Sequence, residues 1–372
     1  MITILQCKTG KELNLFESIP ERLHHLNPSF IPPFPGSVAK LFKPASPFQT
    51  KGKLFPLVAL KDGQAVGRIA CVLNHRHNDY YKDKTGFFGF FDFINDSDVA
   101  FALLEAGKKW LREQGCDTMR GPYNPTINDE LGLLVEGFEQ VPFVMTPFNP
   151  SYYVSLYQEL GLLPARELYA FLIDLKQQTP EKVARVVERV RKRDGFTVRN
   201  VQLDRLEEEL KLIRHLYNVT LDRNWGFVPL SQEEIDFAAH DLRSIVSPEL
   251  VLIAEKEGKP AGFSMVIPDI NEFMGKAKRL PKVLRILYFA AQLKMTHPTR
   301  ARLAVLGVKP EFRNSGLAAV FYYESLIRGK KQYALGELSW VESNNQEIIK
   351  GIERMGGQVY KKYKLYEVPL RA

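Results

Sequence analysis

The 372-residue chain holds only three cysteines, Cys7, Cys71 and Cys116, too few and too scattered for a disulfide framework or for paired metal-ligand spacing. A reducing cytoplasm fits that usage, and no metal is expected. Long apolar runs are also missing. The longest, Val283 to Leu293, is broken by Arg285 and falls short of the roughly 18 residues a helix needs to cross a bilayer, so no stable membrane insertion is expected. The residues from Met1 to Lys8 lack the basic start, apolar centre and small-residue cleavage site of a signal peptide. Helix-turn-helix, RNP and zinc-finger patterns are absent, which leaves general nucleic-acid binding resting on charge alone.

What is present is an ordinary globular composition, 45% hydrophobic and 25% charged, in a chain longer than a single core usually grows; two domains are expected. The formal net charge of +8 implies attraction to anions, whether a phosphorylated cofactor, RNA or an acidic membrane surface.

The two halves repeat one another. Val58 to Gly67 and Ile253 to Gly262 each set an acidic-Gly pair, Asp62-Gly63 and Glu257-Gly258, between β-rich runs, which predicts a tight hairpin in each half. Asn149 to Gly161 and Asn345 to Gly356 both read as capped amphipathic helices ending at glycine. Between these landmarks each half has a strand followed by a helix: Phe87 to Ile94 then Asp98 to Gln114, and Arg302 to Val308 then Leu317 to Arg328. We read an ancient duplication with one elaborated loop per half, around Pro122 to Pro147 and Pro268 to Arg300. Helices are expected between the halves, at Glu181 to Lys192, at Arg205 to Thr220, and after the capping box Ser231-Gln-Glu-Glu234.

The stretch richest in chemistry runs from Leu303 through Ile327: a buried strand, a basic loop, then a helix. A pyrophosphate needs inward-pointing backbone N–H groups, a close approach free of side chains and a positive potential, and a Gly/Ala loop opening a helix supplies all three. The loop Arg313-Asn314-Ser315-Gly316-Leu317-Ala318 has this form. Gly316 and Ala318 permit the approach, while Arg313 and Ser315 offer a cation and a hydroxyl. Its Arg-x-x-Gly-x-Ala core resembles the R/Q-x-x-G-x-G/A acetyl-CoA signature of the GNAT N-acetyltransferase superfamily.

The resemblance implies an α+β (mixed α/β) fold: two tandem GNAT-like domains, each a mostly antiparallel, splayed sheet flanked by helices. Residues 1–175 would form a degenerate N-terminal domain without cofactor, 176–195 a helical connection, and 196–372 a C-terminal domain binding acetyl-CoA or another acyl-CoA. Leu306 and Val308 would offer backbone groups to the pantetheine arm, and Asn345 would contact the cofactor. The corresponding N-terminal loop reads Ile94-Asn-Asp-Ser-Asp98, whose two aspartates repel a pyrophosphate.

Acyl transfer to an amine needs a base and an acid. The tyrosine that many superfamily members place four residues before the glycine ending the last helix is Ile352 here, and Tyr157 in the first copy. Glu337, an acid within the apolar strand Leu335 to Val341, is the favoured base, with a lysine-paired edge glutamate as its structural alternative. Tyr360, Tyr363 and Tyr366 on the final strand are further candidates. Pro268 to Arg300 reads as a basic amphipathic helix packed on its own domain, with a membrane, an acyl chain or RNA as possible contacts. Asp269, Asn271, Asn128 and Asp129 are polar groups near the expected substrate entrance.

The function implied is acyl-CoA-dependent N-acyl transfer to an amine of a small molecule or peptide, by a cytoplasmic monomer or homodimer. Two other readings stay open: a Fem-like transferase that uses aminoacyl-tRNA, against which the intact phosphate loop speaks, and a catalytically silent GNAT-fold binding protein, suggested by the missing helix tyrosine.

Overall fold

The computed structural model describes residues 1–43 and 46–371, the side chain of Asp241 excepted. Contacts divide the chain into two units. The first joins Met1–Leu168 with Met274–Phe289 and the residues from Lys361 onward; the second joins Tyr169–Phe273 with Ala290–Tyr360.

The first half of the chain runs β1 (Ile2–Gln6), α1 (Gly10–His24), α2 (Pro47–Lys51), β2 (Gly52–Lys61), β3 (Gln64–Asn74), α3 (His75–Tyr81), β4 (Thr85–Phe93), α4 (Ser97–Glu113), β5 (Thr118–Gly121), β6 (Tyr123–Asn124), β7 (Glu130–Leu131), β8 (Leu133–Glu136), α5 (Tyr152–Glu159) and β9 (Leu163–Asp174). Strands β1 to β4 pair antiparallel in order; β4 and β5 pair in parallel, from Thr85↔Thr118 to Phe87↔Arg120. The β2–β3 turn is the expected one, with Asp62 at φ 50° and Gly63 at φ 79°, the left-handed pair that matches strand twist. Alternation along β3 divides the core between two faces. Ile69, Cys71 and Leu73 pack with Leu103 and Leu104 of α4, while Ala70 packs with Phe16 and Ile19 of α1.

The second half runs α6 (Glu181–Asp194), β10 (Phe196–Asn200), α7 (Leu206–Thr220), α8 (Gln232–Leu242), β11 (Val251–Lys256), β12 (Lys259–Pro268), α9 (Asn271–Ala277), α10 (Lys282–Met295), β13 (Arg300–Val308), α11 (Leu317–Gly329), β14 (Leu335–Glu342), α12 (Gln346–Arg354) and β15 (Gln358–Pro369). It repeats the first. Strands β10 to β13 pair antiparallel in order, and β13 then pairs in parallel with β14. The β11–β12 turn again sets an acid and a glycine at positive φ, Glu257 at 51° and Gly258 at 73°. Leu252 and Ala254 face Val320 and Phe321 of α11 together with Val187 and Val190 of α6, whereas Ile253 and Phe263 face Leu216 of α7. The capping box Ser231/Glu234 opens α8 as expected. No helix among the described residues is long and apolar enough to cross a membrane.

The contacts divide the chain differently from the boundaries expected at 175 and 196. Strand β15 pairs within the first unit, antiparallel to β5 from Tyr366↔Gly121 to Pro369↔Thr118, and to β8 at Tyr363↔Leu134. In the second unit, β14 lies beside β9 instead, with Ile173 against Gly336. Each copy thus takes its strand after the parallel pair from a distant part of the chain. Helix α6, expected as a connection, is built into the second unit through Val187 and Val190. Asn149 is not the cap of α5, whose N-cap is Ser151; its amide instead bridges Leu134, accepting from N (2.8 Å) and donating to O (3.1 Å).

A buried polar cluster closes the first unit. Arg68 donates to Asp92 (2.7 Å) and to the Phe16 carbonyl (3.0 Å), and the His24 ring lies against Phe30 and Phe148 with Nε2 3.3 Å from the Tyr153 hydroxyl. Burial lowers the His24 pKa; Asp92 partly opposes this and Arg68 adds to it. The unfolded chain then takes up a proton on His24 before the folded unit does. Stability of this unit is therefore complete above the ordinary histidine pKa of about 6.5 and falls as pH drops from there towards the depressed value, at up to about 1.4 kcal/mol per pH unit for one proton. The protection of α1 against hydrogen exchange, taken relative to the intrinsic amide rate at each pH, is expected to fall on acidification across that range, and His24→Gln to flatten the dependence.

Candidate functional site

The β13–β14 pairing runs from Arg300↔Leu335 to Leu303↔Leu338 and ends there, although β13 continues to Val308. The strands form a fork. Beyond it, Leu306 and Val308 keep β12 partners on one side only, Ser264 and Gly262. Two buried hydroxyls without hydrogen-bond partners among the described residues flank this stretch: Ser264, opposite Leu306, and Thr220, whose Oγ1 is 2.0 Å from where a Cβ on Gly307 would lie. Buried donors and acceptors of this kind are costly unless a partner arrives.

Past the end of β13, Pro310–Ser315 form a 3₁₀ turn and Gly316, at φ 88°, leads into α11. A side chain there would be strained by its backbone angle and would meet Val190 of α6 at 2.8 Å. Ser315 Oγ donates to the Phe312 carbonyl (2.7 Å) and accepts from Leu317 N (3.2 Å); the N-cap of α11 is Gly316. Arg313 is not free. Its guanidinium pairs with Asp222 (2.5 Å) and donates to the Thr220 carbonyl (3.2 Å), at the end of α7. Asn314 is exposed, Leu317 is buried, and Ala318 is half-buried in the first turn of α11.

Glu337 and Tyr360, expected from sequence as catalytic groups, are brought together. The Tyr360 hydroxyl donates to Glu337 Oε1 at 3.4 Å. Glu337 is fully buried and stands in register with Arg302, one residue before the fork. Arg302 Nε is 3.2 Å from Glu337 Oε2, and Ser339 bridges the pair, accepting from Arg302 (3.1 Å) and donating to Glu337 (3.0 Å). The guanidinium also lies over the Trp340 ring at 5.1 Å, a cation–π contact. The glutamate thus pairs with an internal arginine. The same signal, a charge inside an apolar strand, marks Arg302 between Ala301 and Leu303. Asp222, the partner of Arg313, carries no such signal.

Other candidates lie apart from this network. The Asn345 side chain accepts from Ile348 N (3.3 Å) as the cap of α12, and Ile352 is core. Tyr157 is packed among Phe88, Phe91 and Tyr366, where burial pushes its phenol far above the ordinary range. Asp269 is buried against Arg300 at the end of β12.

The first unit has the corresponding fork after Phe87↔Arg120, but its own chain fills it. The Asn124 side-chain Oδ1 accepts from Phe90 N at 2.6 Å, and a Cβ on Gly89 would fall 1.6 Å from the Tyr123 backbone carbonyl oxygen. Where the second unit has its glycine loop, Asp96 caps α4 through Asp98 N and Val99 N and pairs with Lys61 at 2.5 Å, a contact that lowers the Asp96 pKa.

Antiparallel strands leading to a forked parallel pair, repeated twice, define tandem GNAT folds. A tandem GNAT protein from the clavulanic acid biosynthesis pathway superposes over 100% of this chain and 99% of its own, with a TM-score of 0.59 at 12% identity. No family model matches the chain. The chain belongs to the family of two curated bacterial proteins: Protein YghO of Escherichia coli (strain K12), 30% identical over 96% of this chain and 92% of its own, and the bacterial ceramide synthase of Caulobacter vibrioides (strain NA1000 / CB15N), 30% identical over 99% and 98%.

Because Glu337 and Arg302 are both buried, removing one leaves an unpaired internal charge. Arg302→Ala is expected to destabilise the second unit by about 3–5 kcal/mol, measured as a shift in denaturant midpoint by circular dichroism, whereas Arg205→Ala, at an exposed pair with Glu208, should cost less than about 1 kcal/mol.

Proposed function

We propose that the protein is an acyl-CoA-dependent N-acyltransferase whose acceptor is the amine of a long-chain amino alcohol. The observation that carries the reading is the open fork in β13 and β14 with a glycine-led helix just beyond it. From Val308 back to Leu303 an extended strand covers about 16 Å, a length comparable to an extended pantetheine arm. Backbone groups at Leu306 and Val308, with the Ser264 and Thr220 hydroxyls nearby, match an arm that carries two amides. Gly316 to Ala318 at the start of α11 suit a pyrophosphate. The acceptor class rests on the relative named a ceramide synthase, since a ceramide is the N-acyl derivative of such an amine.

Bound acyl-CoA would supply the thioester whose carbonyl the amine attacks. Tyr360 is the half-buried member of the network and the group set to meet substrate, as a proton carrier at its hydroxyl oxygen. Glu337 is a positioning residue: it accepts the tyrosine's hydrogen bond, and Arg302 with Ser339 fixes it. The first unit, its fork filled by Tyr123 and Asn124 and its loop acidic, serves as structural partner in this reading.

Calorimetric titration of acetyl-CoA and palmitoyl-CoA is expected to give saturable binding that Ala318→Asp abolishes. Asp222→Asn should tighten binding several-fold, because it releases the Arg313 guanidinium to phosphate. Tyr360→Phe should lower amide formation with sphinganine by about 10²- to 10⁴-fold while leaving acyl-CoA affinity intact. Absence of acyl-CoA binding to the unaltered protein overturns the reading, and amide formation dependent on charged tRNA would replace it with the aminoacyl-tRNA alternative.

A further inference from the structure

Helix α10 packs the opposite way to an ordinary surface helix. Its inward position is Arg285, only 2% exposed, which pairs with Glu21 of α1 at 2.5 Å and donates to the Lys278 and Leu280 carbonyls. Lys278 in turn donates to the carbonyls of Asn27 and Pro28 (3.3 and 3.0 Å), and Phe289 meets Phe34 at 5.1 Å. These contacts fix which side faces the unit. The side left outward is aliphatic: Val283 is 69% exposed, Leu287 60% and Leu284 50%, with Ile286 and Leu280 also exposed. Five large aliphatic side chains within one short stretch form a patch that water does not favour, and contiguous patches of this kind mark interaction surfaces.

The surroundings of the patch say what covers it. Lys276, Arg279 and Lys282 are exposed beside it, and no acidic residue occurs in the sequence from Phe273 to Pro310. Cations at the rim of an aliphatic face match a bilayer with anionic headgroups, where the aliphatic side chains enter the acyl boundary and each cation near the surface adds attraction. An RNA backbone would draw on the cations but has no use for the leucines and valine. We propose that the stretch Leu280 to Leu287 of the first unit is a docking surface for anionic phospholipid bilayers, which it meets without crossing them. The inference stands apart from the acyl-transfer reading, because it concerns a surface outside the fork and is read without any acyl donor.

The test is partition of the full chain onto sucrose-loaded vesicles, either pure phosphatidylcholine or an equimolar mixture with phosphatidylglycerol. The protein is expected to sediment with the mixed vesicles, and added salt should weaken the association. Leu284→Gln/Leu287→Gln should reduce partition at least about tenfold, and Lys276→Glu/Arg279→Glu/Lys282→Glu about a hundredfold or more. All these positions are exposed, so circular dichroism should be unchanged. Lys11→Glu/Lys109→Glu/Lys350→Glu, which makes the same charge change at exposed sites elsewhere, should retain most of the binding. Failure of the unaltered protein to sediment with mixed vesicles overturns the proposal. Full binding by the Leu284/Leu287 variant does so too, and if the charge-reversed variant has also lost RNA, the face is a polyanion surface instead.

Discussion

Parallel strands that part leave backbone amides and carbonyls without ladder partners, and β13 and β14 part after Leu303↔Leu338. That divergence is the constraint around which the second unit is arranged. Just before it, the two strands are tied by the buried Arg302–Glu337 pair and its Ser339 bridge, which fixes where the fork begins. Just beyond it, α7 brings Thr220 against Gly307, and α6 and α11 close the opposite face through Val190 and Val320. The loop at Gly316 lies between these supports, so its position follows from the packing of three helices.

In the first unit the same divergence is filled by the chain itself. There the side chain of Asn124 takes the place of a ladder partner at Phe90, and Tyr123 occupies the space beside Gly89. One inherited topology thus has two outcomes, a filled slot and an open one, and the difference lies in a few residues of the Pro122 to Pro147 elaboration. The acidic cap at Asp96 completes the contrast with the glycine-led start of α11.

The local devices were legible in the sequence because each depends on near neighbours. The Asp62-Gly63 and Glu257-Gly258 turns, the Ser231/Glu234 capping box, and the strand–loop–helix from Leu303 are decided by backbone angles and spacing within a few residues. Glu337 and Tyr360 could be suspected one at a time, from a charge in an apolar strand and from a tyrosine on the last strand. Their hydrogen bond could not, since it joins positions on different elements. The Asp222 partner of Arg313 and the bridging role of Asn149 were hidden for the same reason: surface-typical residues acquire these roles only through long-range packing. The exchange of strands between the copies was least legible, because β9 and β15 have similar length and alternation, and sequence pattern does not state which neighbour a strand chooses.

That exchange bears on how the chain is made. A ribosome releases residues in order, and domains usually fold as they emerge. Here the strand that pairs with β5 and β8 comes from Lys362 to Pro369, so the first unit is synthesised with one sheet edge bare and stays so until nearly the whole second copy has left the tunnel. Such an edge is a template for pairing with other chains. During translation the strand available to cover it is not its own, and the two copies must finish folding together, in spite of the order in which they are written.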